Sequence, residues 1–409
     1  MNARSARPLA IDGGAPVRTK PWPPWPAFDA SEEEALLGVL RSGQWWSVGG
    51  EKVHEFEEAF ARFQDARYAT CVTNGTAALE IALRALGIGC GDEVIVPPYT
   101  FIATASSVLA VSASPVFVDI DPDTFNLDPA RIEEAITERT RAVIPVHIAG
   151  CPADMDAILA VARKHGLAVI EDAAQAHGAE WKGRKVGAIG DLGTFSFQAS
   201  KNLNAGEGGA IVTDNADLAD KVWSIHNVGR TRGGRWYEHP VLGGNFRMTE
   251  WQGAILLAQM ARLPEQTERR TANAAYLTEQ LRGIPGIAPL AVDPRVTRHA
   301  YHLYVFRYDP SAFGGRPRDQ FIEALNAEGV PASAGYVPLY KEGVFARKTA
   351  GEGAWCRSGR FIDYGAVACP NCEEASARGI WLFQQQLLGG KEDMDDIAEA
   401  IAKIQAAWE

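Results

Sequence analysis

No stretch of this 409-residue chain stays apolar for the roughly 20 residues that a membrane helix needs, so a spanning protein is not expected. Positive charge is also short. Lysine and arginine number 40 against 51 aspartates and glutamates, for a net charge of −11. That balance argues against nucleic acid or an anionic membrane surface as a partner. Residues 1–16 carry two arginines but no apolar core of signal-peptide length, and the expected compartment is the cytoplasm. Cysteine is sparse at six residues, most of them isolated, which is no disulfide framework. Cys369-Pro-Asn-Cys372 is a CxxC without a second pair at zinc-finger spacing, so two free thiols and no metal are expected. His54-Glu55 fails as a zinc motif because Glu58 stands where HExxH needs histidine. No glycine loop is followed by GK[ST], and Gly87-Ile-Gly-Cys-Gly91 follows a helix rather than a strand. Neither a P-loop nor a dinucleotide fingerprint is present.

What is present is alternation. Residues 9–25 are rich in proline and glycine and read as an extended arm. Helical spacing marks 31–40, 53–63, 77–86, 129–136 and 154–165; strand patterning marks 68–73, 93–96, 115–118, 142–146, 167–170 and 193–197. Strands alternating with helices predict an α/β fold with a largely parallel sheet and right-handed crossovers. A helix over 249–263 and a helical bridge over 264–281 precede a C-terminal part with strands at 302–308, a helix near 318–329 and a closing helix at 394–408.

The chemistry concentrates between Leu167 and Gly209. One strand ends in Glu171-Asp172; another ends in Gln198-Ala199-Ser200-Lys201, followed by a glycine-rich turn, 205–209. In open α/β sheets ligands bind outside the carboxyl ends of strands, where an acid and a lysine can face one crevice. A pyridine cofactor asks for that pair: an anion to keep its ring nitrogen protonated, and a lysine to hold its aldehyde as a Schiff base. An isolated Asp–Lys pair is also commonly structural. Asn74-Gly75-Thr76, between a strand and a helix, suits a phosphate on the helix N-terminus, although the same tripeptide is a routine turn and N-cap.

EDAAQAHGA followed by GTFSFQASKNLNAGEGGAIVTD resembles the DegT/DnrJ/EryC1/StrS aminotransferases, and the likeness runs from about Leu9 to about Leu388. The resemblance implies a fold type I aminotransferase: a large domain with a mostly parallel seven-stranded sheet flanked by helices, plus a smaller C-terminal α/β domain. It divides the chain into an arm, 1–27, a cofactor domain, 28–263, and a small domain, 264–409. It implies pyridoxal 5'-phosphate as cofactor and Lys201 and Asp172 as catalytic residues. Gly75, Thr76 and Ser196 fall at the phosphate site, Phe101 on the ring face and Gln175 beside the phenolic oxygen. In VLGGNFRM, Asn245 matches the asparagine that reaches the cofactor phosphate of the neighbouring subunit, which implies a homodimer with shared active sites. Trp45, Trp46, His177, Gln198 and Tyr336 are candidate substrate contacts.

The implied reaction is a ping-pong transfer of an amino group, from glutamate or glutamine, to a keto sugar or keto cyclitol. Many sugar-acting relatives carry His-Pro before Ser-Lys, where this chain has Gln198-Ala199. Together with AGEGG, that leans toward the cyclitol and aminohydroxybenzoate branches. An aromatising synthase or dehydratase on the same scaffold, a non-catalytic ligand-binding regulator and a nicotinamide oxidoreductase are the competing readings. Lys201 weighs against the dehydratases that carry histidine there, and the missing dinucleotide fingerprint weighs against the last.

Overall fold

The computed structural model describes residues 8–346 and 362–409. Its strands are β1 (Tyr68–Val72), β2 (Glu93–Val96), β3 (Ser114–Phe117), β4 (Thr140–Val143), β5 (Ala168–Asp172), β6 (Glu180–Trp181), β7 (Arg184–Lys185), β8 (Leu192–Ser196), β9 (Gly209–Thr213), β10 (Ile287–Pro289), β11 (Val296–Arg298), β12 (Leu303–Tyr308), β13 (Ala332–Ala334) and β14 (Gly379–Phe383). Its helices are α1 (Ala30–Ser42), α2 (Lys52–Phe63), α3 (Gly75–Ala85), α4 (Ala103–Ala110), α5 (Met155–His165), α6 (Ala216–His226), α7 (Glu250–Leu281), α8 (Arg318–Ala327), α9 (Gly343–Ala346), α10 (Pro370–Arg378) and α11 (Lys391–Trp408).

Seven strands form the main sheet in the order β1-β9-β8-β5-β4-β2-β3. Only β9 runs against its neighbours; the β8-β5-β4-β2-β3 pairings are all parallel. Successive residues of one strand feed opposite layers. Ile170 packs in one core with Val94, Leu192 and Ile211, while Val169 packs in the other with Ile95, Phe195 and Val212. Both faces are buried, as a parallel sheet with crossover helices requires. A four-stranded antiparallel sheet, β10-β12-β14-β13, makes a third core with α8, α11 and the end of α7.

Several sequence expectations change here. Residues 129–136 form two short 3-10 turns, Pro129–Arg131 and Glu133–Ala135, each closed by an i to i+3 bond, Ile132 N–H to Pro129 O and Ile136 N–H to Glu133 O, before the backbone turns extended at Ile136. Pro264, expected to open a bridging helix, lies inside the continuous 32-residue α7. The arm is not wholly extended: Ala10–Asp12 is a 3-10 turn, and the arm is tied to the C-terminal elements. Glu328 accepts from the backbone of Ala10 and Val17 at 2.9 Å, and Arg18 donates to Asp393 and Asp396 at 2.7 Å. Cys369 and Cys372 are free and buried, and Cys356 lies outside the described residues.

Candidate active site

A cavity of about 1060 Å³ opens at the carboxyl ends of β1, β2, β5 and β8. Asp172 closes β5, where pairing with β8 fixes the backbone and leaves the carboxylate to face the cavity. Its Oδ2 accepts from Thr104 Oγ1 at 2.8 Å and its Oδ1 from the Ala174 N–H at 3.2 Å. Thr104 in turn lies 3.1 Å from Thr100 Oγ1; since Thr104 spends its proton on the carboxylate, Thr100 donates to it. Burial pushes the Asp172 carboxyl above its usual range, against those bonds and the nearby Lys201. The carboxylate is therefore short of positive charge and suited to a buried cation.

The neighbouring Glu171 points to the other side of the sheet. Burial raises its pKa, but bonds outweigh the burial and hold it below the usual range. It takes His147 Nε2 at 3.0 Å and the N–H groups of Gly187, Ile189 and Gly190 at 2.6–2.7 Å. His147 Nδ1 accepts from the Ala153 N–H, so Nε2 carries the proton. This clamp, with His147 N–H bonded to the Asp172 carbonyl at 3.1 Å, fixes the strand end that carries Asp172.

Lys201 sits in the turn after β8, its N–H bonded to Gln198 O at 2.8 Å. Burial pulls its pKa down to about 8, while Asp172 holds it up. An amine so poised reacts as a nucleophile near neutral pH. Gln198 lines the cavity, but its Oε1 is occupied by Ser200 N–H at 2.8 Å and Oγ at 2.7 Å.

Opposite lies the start of α3. Asn74 caps it through the Ala77 N–H at 2.8 Å, and the Gly75 and Thr76 amides, in the first turn, have no acceptor within the helix. Glycine is required at 75, since a Cβ there would stand 2.8 Å from Ser196 Cβ. The α3 N-terminus and Ser196 thus form one cradle for an anion. Phe101 lines the wall and is 57% exposed, an uncovered ring face. Gln175 is fixed by the Ala149 N–H on Oε1 at 2.7 Å and donates from Nε2 to Tyr336 Oη at 3.0 Å.

A phosphate cradle, an exposed aromatic ring, a buried carboxylate seeking a cation and a lysine of lowered pKa together fit pyridoxal phosphate. The family model of the DegT/DnrJ/EryC1/StrS aminotransferases matches residues 26–402. The chain belongs to that family. It is a pyridoxal-phosphate-dependent aminotransferase of fold type I. It is 42% identical to an L-glutamine:2-deoxy-scyllo-inosose aminotransferase of Streptoalloteichus tenebrarius, over 97% of both chains. The crystal structure of a 3-amino-5-hydroxybenzoic acid synthase superposes with a TM-score of 0.88 at 36% identity, covering 95% of this chain and all of that one. A Streptococcus pneumoniae protein described as a sugar aminotransferase, solved in its PLP form, gives 0.84 at 28% identity, covering 96% of this aminotransferase and 100% of its own chain.

The cavity of this aminotransferase brings together Gly75, Thr76, Phe101, Asp172, Gln175, Ser196, Gln198, Lys201 and Tyr336. Four other candidates do not line it. His177 is buried between Phe195 and Phe197, at 5.7 Å from each ring, and burial lowers its pKa to about 3; it is a neutral core residue rather than a substrate contact. Trp45 and Trp46 are about half exposed, packed against Trp251 and Trp236. Asn245 is exposed beside Asn227. Residues missed by sequence reasoning also form the wall: Trp25, whose Nε1 donates to Ala199 O at 2.9 Å, and His302, Trp381 and Gln384. Thr104 was missed as well. Its position four residues after Thr100 was the available signal.

Proposed function

We propose that this aminotransferase moves an amino group from glutamine or glutamate to a small keto cyclitol, working as a homodimer with shared active sites. One observation carries the substrate class: Lys201 is the sole lysine or arginine among the described residues lining the cavity. A nucleotide-linked sugar brings a diphosphate, which calls for further Lys or Arg donors. Arg230, Arg232 and Arg235 do not border the cavity. The inosose-named relative supports the same acceptor. The synthase-named structure supports an aromatising variant, which would reveal itself by an aromatic product.

When bound, pyridoxal phosphate supplies an electron sink for the carbon that bears the amine. The α3 N-terminus and Ser196 would hold its phosphate, Phe101 its ring face, Asp172 the proton on its ring nitrogen and Gln175 its phenolic oxygen. Lys201 Nζ would take the proton from the donor's α-carbon and, in the second half, return one to the carbon that receives nitrogen. The dimer reading rests on exposed apolar side chains, Trp45, Trp46, Trp236, Tyr237 and Leu242, of the kind that interfaces cover; the Trp46 and Trp236 rings lie 6.1 Å apart. Asn245, beside them in sequence and away from its own chain's cavity, would serve the partner's phosphate. We read residues 1–27 as arm, 28–263 as cofactor unit and 264–409 as smaller unit, with α7 common to the last two. The cytoplasm is the proposed compartment; among the described residues no helix is long and apolar enough to cross a membrane.

Side-by-side kinetics at equal donor concentration test the acceptor. A keto cyclitol should give the higher kcat/KM. A nucleotide-linked keto sugar ahead by tenfold, about 1.4 kcal/mol in the transition state, overturns the assignment.

A further inference from the structure

Arg270, on α7, is fully buried, and no carboxylate pairs with it among the described residues. Its Nε donates to Gln384 Oε1 at 3.0 Å, and Nη2 donates to the same oxygen. A guanidinium has donors only, so this contact fixes which end of the Gln384 amide faces it. The other end, Nε2, is turned away with both hydrogens, and it has no protein partner although it is buried. Gln384 itself lines the active-site cavity, next to Trp25, over whose ring Arg270 lies at 5.4 Å.

A buried amide nitrogen without an acceptor is destabilising, and a buried cation without an anion is more so. An anionic acceptor placed against Gln384 Nε2 would satisfy the amide and bring a counter-charge toward Arg270, whose Nη1 is also buried without a partner, with the guanidinium behind the amide to polarise it. We infer that Gln384, backed by Arg270, receives the α-carboxylate of the amino donor. The inference rests on the aminotransferase reading with an amino-acid donor. Of the reactants in that reading the donor is the one that carries a carboxylate; a keto cyclitol is neutral, and the cofactor phosphate has its own cradle at α3.

Gln384→Glu tests this without emptying the site. The new carboxylate would pair with Arg270, so the fold should hold, but it removes the amide donor and places a negative charge where the donor's would lie. Two measurements on the holoenzyme separate the outcomes. The first is equilibrium binding of glutarate monoamide, the donor with its amine removed, followed by tryptophan fluorescence. The second is the rate of conversion of the cofactor by glutamine and by 4-aminobutanamide, which is glutamine without its α-carboxylate. Gln384→Glu should weaken glutarate monoamide and raise the KM for glutamine at least tenfold, and change 4-aminobutanamide by less than twofold. Gln384→Leu should act in the same direction, and serves if the first variant does not fold. Unchanged binding of glutarate monoamide, or an equal loss with both amines, overturns the inference. A wild-type protein that uses 4-aminobutanamide as well as glutamine would instead overturn the amino-acid-donor reading itself.

Discussion

Lys201 should titrate near pH 8 in the cofactor-free protein, and the consequences are quantitative. Burial lowers it from 10.5 to about 8, a penalty on the charged form of about 3 kcal/mol. At pH 7 roughly a tenth of the molecules would hold a free amine, against roughly one in 3000 for a solvated lysine. Asp172 opposes the burial, so Asp172→Asn should move the midpoint below 8. In the unfolded chain Lys201 keeps its proton up to about 10.5, and the folded chain releases it near 8. Between those values the unfolded state binds more protons, so stability rises with pH across that window; below pH 8 the full penalty is present. Trace acetylation from pH 6 to 10, with peptide mass spectrometry, reads the midpoint at this one residue. A midpoint at or above 10, or an upward shift in Asp172→Asn, would refute the account of Lys201 as a desolvated amine.

Thr104→Val should weaken pyridoxal phosphate binding about tenfold, because a hydrogen bond to a charged group is worth about 1.5–3 kcal/mol and part of it is regained by rearrangement. Thr104→Ser should restore it, and a cofactor analogue with carbon in place of the ring nitrogen should bind wild type and variant alike; equal weakening of both ligands would mean that Thr104 only supports the fold. Gly209→Ala sets a Cβ 2.5 Å from the Asn74 carbonyl, so thermal unfolding should show a loss of about 1–3 kcal/mol together with weaker cofactor binding. Lys201→Ala should fold yet lose turnover, and mixing it with Asn245→Ala should regain activity in hybrid dimers. Failure to complement after proven subunit exchange would place Asn245 outside the partner's site.

The alternation of strands and helices was readable because parallel strands buried on both faces form apolar runs; Asp172 was readable because it ends such a run, and Lys201 because it closes the polar tip that follows a second strand. Short or weakly patterned elements escaped. α4 is built from small residues with little amphipathic contrast, ATASSVLA, and β9 begins inside a glycine-rich turn that masks it. His177 lies five residues from Asp172 and looks like part of the site; only the packing of Phe195 and Phe197 shows it facing inward. Trp25 and Gln384 reach the cavity from near the two ends of the chain, and no local pattern signals such a meeting. Gln384 carries no charge and sits in a run of three glutamines, so its pairing with Arg270, 114 positions away, had no trace in spacing.

The arm that bonds to the C-terminal helix also delivers an indole to the cavity wall, and this bears on how the protein can be handled. Shortening the chain to residue 26 would remove Trp25 from beside Ala199 and uncover Arg270. It would also leave Asp393 without the Arg18 guanidinium that helps hold its pKa down against burial. Trimming at that end would thus be an active-site substitution and a destabilisation at once. A tag or fusion partner anchored before residue 8 leaves these contacts in place, and one inserted between residues 18 and 25 would be read out as altered kinetics rather than as altered solubility.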